Sequence, residues 1–351
     1  MRMWSCSALL KPARLAVGDT VAVLSPSWGG PSIFPHIYES GLEALRDLGL
    51  QVREYPSARA DNDYLFRNPR ARAKDINDAF ANSEVKAIFA SIGGDDSIRI
   101  LPFLNPVIIK KNPKILMGYS DTTTLLTYIN QMGLVTFNGP SVMAGFSQVR
   151  SLPESFGEHI QAMFFSPREN YEYASYDVYC DGYPDWRNPE NIGKTNELKR
   201  DDGWHFLQGS GVESGELYGG SIEVLEILNG TDFWAKKDFW KGKILFLETS
   251  EDKPPVQRVR RMLRNYGMQG IFDQVLAVLF GRPRDYTDEA KAEFDRMVLE
   301  VIKGEFGNGN IPVVSNMDFG HTDPQFILPL GVRAEIDCDV RAFKLLESPV
   351  Q

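Results

Sequence analysis

Lys114-Ile115-Leu116-Met117-Gly118-Tyr119 runs directly into Ser120-Asp121, and from about Thr122 to Met132 the pattern becomes helical. A short apolar run of this kind reads as a buried strand, which leaves Ser120 on a strand-to-helix turn. The same alternation extends outward on both sides. Upstream, Thr20 to Ser25 is a strand followed by Pro and Gly punctuation and a helix through about Leu48, and Gln51 to Tyr55 is a shorter strand. Pro69 suits the first turn of a helix running to about Asn82, because proline lacks only an N–H that would be unpaired there. Val85 to Ile92 is a third strand ending on Gly93-Gly94, and Leu134 to Phe137 is a fifth. Such alternation implies a largely parallel, Rossmann-like sheet covered on both faces, with ligand groups at the carboxyl ends of its strands. Gly93-Gly94 and Ser120 both fall there.

The character changes between about Ser147 and Gly215, where Tyr, Asp, Asn, Pro and Gly crowd together and apolar periodicity fades. Long segments of that kind are usually linkers, lids or binding loops. A second patterned region follows: a helix near Gly220 to Leu228, a strand Lys243 to Leu247, a helix Pro255 to Tyr266 and a strand Gln274 to Phe280. A helix from Thr287 to about Lys303 and the strands Pro312 to Ser315 and Phe326 to Ile336 complete it. The expected organisation is an N-terminal α/β domain over residues 12–146, a linker and substrate loop over 147–214, and a C-terminal α/β domain over 215–346.

The 351 residues suit two domains, and 43% hydrophobic residues with 21 Phe, 13 Tyr and 6 Trp support a full core. A net charge of -9 disfavours nucleic acid as a partner, since phosphate binding draws on clustered Lys and Arg. The one basic run, Arg258 to Arg264, carries Val259, Met262 and Leu263 at helical spacing and reads as a solvated helix face. Cys6, Cys180 and Cys338 form neither a disulfide framework nor a zinc pattern, which fits a reducing compartment. The apolar stretch behind Arg2 is cut short by Lys11 and Pro12, and no later run is long enough to span a membrane, so the expectation is a cytoplasmic protein without a membrane partner.

A serine held on a sharp turn above a helix N-terminus can act as a nucleophile, and Gly118 supplies the small residue two positions earlier. Thr122 stands where a second glycine is usual. The residues alone leave a capping role for Ser120 or Asp121 equally open. A serine needs a base, and among the four histidines His321 differs by following a strand end, beyond Val313 to Gly320. His36 sits at a helix start; His159 and His205 lie in polar, irregular sequence. Glu248 ends the Ile244 to Leu247 run and is the best acid for that imidazole, while Ser250, Glu251 and Asp252 are nearer the following helix and better placed to cap it. Acyl transfer also needs amide donors. Asp121 follows the nucleophile, and the Gly93-Gly94-Asp95-Asp96 loop can bring a second amide close, although a Gly-Gly-Asp turn is common. No metal-ligand pattern or cofactor motif is present. Trp186 and Trp204, in the irregular segment, either stack on a flat ligand group or pin the loop to the body.

Ser-Ile-Gly-Gly-Asp-Asp-Ser at 91–97, Gly-Tyr-Ser-Asp at 118–121, Leu-Glu-Thr at 247–249 and Gly-His at 320–321 together resemble the LD-carboxypeptidases and the microcin C immunity peptidases, in order and spacing from about residue 12 to 345. The resemblance implies a Ser120-Glu248-His321 triad split between the two domains, the C-terminal one of swivelling type. It also implies an oxyanion hole from the amides near Gly94 and Asp121, no metal or cofactor, and a homodimer. The Trp-bearing segment and Glu248-Thr249-Ser250-Glu251 look more like the immunity branch, whose members cleave the amide between a peptidyl or aminoacyl group and a nucleotide-like moiety. Trp186 is then the candidate for stacking on the base, and Asp95 a second substrate contact. The alternatives are removal of a terminal D-alanine from a murein tetrapeptide and, from another class, a two-domain protein that binds a small ligand without catalysis.

Overall fold

Nearly every side chain of the strands Thr20–Leu24, Val85–Ala90 and Ile115–Gly118 is buried on both faces in the computed structural model, which describes residues 9–351. Burial on both faces is why these strands read as continuous apolar runs rather than alternating ones. Cys6 and all of the stretch behind Arg2 except Leu9 and Leu10 lie outside the described residues. The first sheet has the order Leu328–Leu330, Thr136–Asn138, Ile115–Gly118, Val85–Ala90, Thr20–Leu24, Gln51–Glu54. Its five N-terminal strands are parallel. The chain leaves Thr20–Leu24 first to one side and then to the other, so a crevice opens beyond the ends of that strand and Val85–Ala90. Ser27, Gly93-Gly94 and the start of the Ser120 turn border this crevice.

The second sheet is mixed. Val212–Ser221, Lys243–Glu248, Ala277–Gly281 and Val313–Met317 run parallel at its centre. Antiparallel strands flank them, Arg333–Asp337 and Ala342–Leu345 on one side and His205–Gln208 on the other. The chain is thus a two-domain α/β protein. Pro69 does open its helix, Pro69–Ala81. The Val256–Met268 helix buries Val259, Met262 and Leu263, while Arg260 and Arg264 pair with Glu300 and Glu305. Three of the four arginines of its basic run, Arg258, Arg260 and Arg264, are in intramolecular ion pairs.

Three expectations need correction. The 147–214 segment is not irregular throughout: Glu154–Phe164 is a helix that buries Phe156, His159, Ile160, Met163 and Phe164. His159 on it is buried, its Nδ1 facing the Tyr171 hydroxyl at 2.8 Å and its Nε2 accepting from the Ile327 amide at 2.8 Å. Burial pulls its pKa down to about 3, so it stays neutral. His205 lies in a strand, with Nδ1 2.9 Å from Asp295 Oδ2. The Phe326 to Ile336 run is two strands: Leu328–Leu330 crosses into the first sheet, antiparallel to Thr136–Asn138, and Arg333–Asp337 joins the second. Gly331, at φ +88°, permits the turn between them. Periodicity cannot report which sheet a strand joins.

The two domains dock through the helix behind Ser120. Thr123 Oγ1 accepts from the Ser221 amide at 3.2 Å, and Gln131 Nε2 reaches the Tyr218 hydroxyl at 3.1 Å. Asn130 Nδ2 donates to Leu330 O at 2.9 Å, which holds the strand that crosses from the C-terminal part of the chain into the first sheet. No helix among the described residues is long and apolar enough to cross a membrane.

Candidate active site

Ser120 lies one residue beyond the buried Ile115–Gly118 strand and has φ +56°, a conformation costly for a residue with a Cβ. Tyr119 before it is extended, and the helix Thr123–Gln131 begins after a single tight turn. A Cβ at Gly118 would lie 2.9 Å from Thr122 Cγ2 and 3.0 Å from Ala90 Cβ, which is why the turn needs glycine two positions before the serine. The Thr122 methyl fills the space a second glycine would have left open. Neither Ser120 nor Asp121 acts as a helix cap here. Ser120 Oγ makes no hydrogen bond among the described residues, whereas the Asp121 carboxylate accepts from the Ser97 amide at 2.9 Å and its carbonyl from Ser97 Oγ at 2.7 Å. Burial raises the Asp121 carboxyl, with Ser27 and Ser97 opposing.

Through Ser97 this brace ties the turn to the glycine loop. A Cβ on Gly93 would sit 3.0 Å from Ser120 Oγ and 3.4 Å from the Asp121 nitrogen, and one on Gly94 would strike Ser27 Oγ at 2.3 Å. The loop folds around that hydroxyl, which accepts from the amides of Asp95 and Asp96 at 3.1 and 3.2 Å. Asp96 is held by the buried Arg72 at 2.6 Å and by Arg99 at 2.7 Å. Asp95 is exposed, with no side-chain partner among the described residues. The Asp121 amide, in the first turn of its helix, belongs to the donors a helix leaves unpaired.

Glu248 closes the Lys243–Glu248 strand and is 1% exposed; its Oε2 lies 2.6 Å from His321 Nδ1. Glycine makes room for this pair, because a Cβ on Gly320 would come within 2.9 Å of Glu248 Oε2. The imidazole packs on Tyr119, the residue before Ser120, with ring centroids 4.8 Å apart. His321 is thereby brought to the serine turn. Its Nε2, however, faces Glu251 Oε2 at 2.7 Å, in ion-pair range but outside hydrogen-bond alignment, and no hydrogen bond joins it to Ser120. Burial alone would lower the His321 pKa, but the two carboxylates outweigh it and push it up to about 10. Burial would raise that of Glu251, yet the contact with His321 holds it down to about 2.

Glu251 is thus the residue that sequence reasoning assigned wrongly. The Val256–Met268 helix has Pro255 at its N-cap with no side-chain cap, and Ser250 instead donates its hydroxyl to Glu223 Oε1 at 2.7 Å. The signal for it in the sequence is position: three residues beyond Glu248, on the same strand end.

A buried guanidinium positions the histidine loop. Arg282 Nη2 donates to Asp318 Oδ1 at 2.6 Å and Asp201 Oδ2 at 2.7 Å, and Nη1 reaches Thr322 Oγ1 at 3.3 Å. Asp318 and Thr322 flank His321 in the chain. Trp204 Nε1 donates to Asp318 Oδ2 at 2.7 Å, so Trp204 pins its loop to this cluster. Trp186 is half-buried elsewhere. It stacks on Tyr183 at 4.9 Å and 24°, meets Phe34 edge-on at 5.6 Å, and its carbonyl contacts His36 Nε2 at 2.7 Å. The Tyr183 hydroxyl lies 2.5 Å from that of Tyr119, so an aromatic row leads from His321 to Trp186. A surface groove of about 960 Å³ beside the Glu154–Phe164 helix contains none of these residues, and chemistry rather than size marks the site.

The chain matches the LD-carboxypeptidase N-terminal domain over residues 21–139 and the LD-carboxypeptidase C-terminal domain over residues 214–336. It is 29% identical over 340 residues to the microcin C7 self-immunity protein MccF of Escherichia coli, covering 96% of each chain. It is 28% identical over 331 residues to the probable murein peptide carboxypeptidase of Bacillus subtilis, covering 93% of this chain and 91% of that protein. The solved structure of MccF in complex with aspartyl sulfamoyl adenosine superposes with a TM-score of 0.85 at 28% identity, over 97% of this chain and 100% of that one.

Proposed function

This chain belongs to the LD-carboxypeptidase family of serine hydrolases, and from that premise we propose that it cleaves the amide bond between a peptidyl or aminoacyl group and a nucleotide-like moiety. Family membership removes the reading of the chain as a binding protein without catalysis. The observation that carries the proposal is the 2.6 Å contact between His321 Nδ1 and Glu248 Oε2, beside a serine at φ +56°.

In the proposed reaction His321 Nε2 takes the Ser120 proton as Oγ attacks the acyl carbon. Glu248 keeps the other ring nitrogen as a donor and stabilises the imidazolium. Amides of Gly94 and Asp121 receive the developing oxyanion. Nε2 returns its proton to the departing nitrogen, then activates the water that releases the acyl group from Ser120. Before the first step Glu251 must leave Nε2, since a protonated imidazole cannot act as base. Trp186 offers its ring to the base of the leaving group, Asp95 contacts the substrate, and a homodimeric cytoplasmic enzyme belongs to the same proposal.

The relative bound to aspartyl sulfamoyl adenosine favours a nucleotide-like leaving group. Murein tetrapeptide is the competing substrate, and a direct comparison separates the two. Purified protein given an aminoacyl sulfamoyl adenosine and a murein tetrapeptide should turn over the first, and Ser120→Ala should lose at least about 10³-fold in kcat with its melting curve unchanged. Preference for the tetrapeptide would reverse the substrate assignment, and undiminished hydrolysis by the variant would remove Ser120 from the mechanism.

A further inference from the structure

Two arginines follow the Ala277–Gly281 strand, and their surroundings differ. Both terminal nitrogens of Arg282 meet protein acceptors, on Asp201, Asp318 and Thr322, and only its Nε is without a partner among the described residues. Arg284, two residues on, is only 16% exposed, yet its single ion pair runs from Nε to Asp285 Oδ2 at 3.1 Å, and that carboxylate is half in solvent. Neither terminal nitrogen of Arg284 has a protein acceptor among the described residues. A partly buried guanidinium costs free energy unless an anion meets it, and its planar fork suits two oxygens of one anionic group.

The surroundings fit an anion site. The backbone closes on the guanidinium at Gly182, where a Cβ would lie 2.1 Å from Arg284 Nη2. Its Cζ stands 5.1 Å from the centroid of the Tyr183 ring. Tyr183 is the midpoint of the aromatic row: its hydroxyl touches Tyr119, which packs on His321, and its ring stacks on Trp186. Arg284 therefore lies between the acyl-transfer end of the site and its aromatic end. Its charge is felt at both Glu251 and Asp323, where it favours the ionised carboxylate.

We propose that the terminal nitrogens of Arg284 bind the anionic group of the part of the substrate that leaves, the phosphoryl or sulfamoyl oxygens in a nucleotide-like leaving group. The proposal rests on the hydrolysis assigned to Ser120. A terminal carboxylate, as on D-alanine in a tetrapeptide, offers the same chemistry from another source. In either case the interaction is made in the ground state and appears in KM and in ligand affinity before kcat.

The test is calorimetric binding in a Ser120→Ala background, which makes it independent of turnover. The probes are AMP, adenosine and a D-alanine-terminated tetrapeptide, and thermal melts check each variant. AMP should bind at least about tenfold more tightly than adenosine, and Arg284→Met should abolish that difference while leaving adenosine unchanged. Arg284→Lys, which keeps the charge without the fork, should recover part of it. Loss confined to the tetrapeptide would keep Arg284 as the anion site and overturn the nucleotide-like source. Equal affinities for every probe in Arg284→Met and the parent would overturn the inference itself. If Arg284→Met melts early, Arg284→Lys binding AMP as tightly as the parent would overturn the role of the fork.

Discussion

The serine turn and the histidine loop meet in one site but are held by different physics. Around Ser120 the constraints are mainly steric: a strained backbone angle, glycines at 93, 94 and 118 packed to contact, and hydroxyl braces through Ser27 and Ser97, with ion pairs only at Asp96, which Arg72 and Arg99 anchor. Around His321 they are charges, with carboxylates on both ring nitrogens and a buried arginine between Asp318 and Asp201. Steric constraint fixes where an oxygen points, whereas charge sets whether a nitrogen carries a proton. The Ser120 oxygen is therefore prepared chiefly by close packing, and the His321 imidazole chiefly by carboxylates from a distant strand end.

The comparison breaks hardest at Glu248. Replacing it with Gln preserves volume but removes the charge and invites the wrong imidazole tautomer, so kcat should fall by about 10³- to 10⁴-fold with Tm little changed. Near-normal turnover by Glu248→Gln would mean that charge does not prepare this histidine. The steric half is probed at Gly93. A methyl there must push on Ser120 Cβ, 2.9 Å away, and Gly93→Ala should lower kcat by about 10²-fold while KM changes less. A wild-type rate would show that the serine is not sterically positioned.

The smallest effect sharpens the charge argument. His321, pushed up to about 10 in the free protein, is protonated at neutral pH, and the base form grows only as pH rises through that value. Glu251→Gln removes one of the two carboxylates holding the proton. The acidic limb of the kcat/KM profile should move to lower pH by about one unit or more, raising activity at neutral pH. A limb that stays in place or moves upward would show that Glu251 does not control the imidazole.

Much of the serine half is legible in the sequence. The strand, the turn and the helix around Ser120 are signalled by neighbours within a few residues, and Gly118 with Ser120 reads as a nucleophile turn for a steric reason that the packing of Ala90 and Thr122 then explains. The Glu248 and His321 pairing is suggested by strand ends and by family resemblance. Their 2.6 Å contact joins residues 73 apart in the chain. The Glu154–Phe164 helix is readable in principle, since Phe156, Ile160 and Met163 recur at helical spacing, but surrounding Pro, Gly and polar residues mask it.

Sequence alone determined the alternation of strand and helix, the strand-end address of Ser120 and the absence of a basic surface pattern, because each depends on local periodicity or on composition. Tertiary structure decided that Leu328–Leu330 joins the first sheet, that Trp204 pins a loop while Trp186 stacks on Tyr183, that the terminal nitrogens of Arg282 meet protein acceptors while those of Arg284 do not, and that Glu251 faces Nε2. Most of those outcomes are contacts between distant segments, and all depend on which way a side chain turns once the chain has folded.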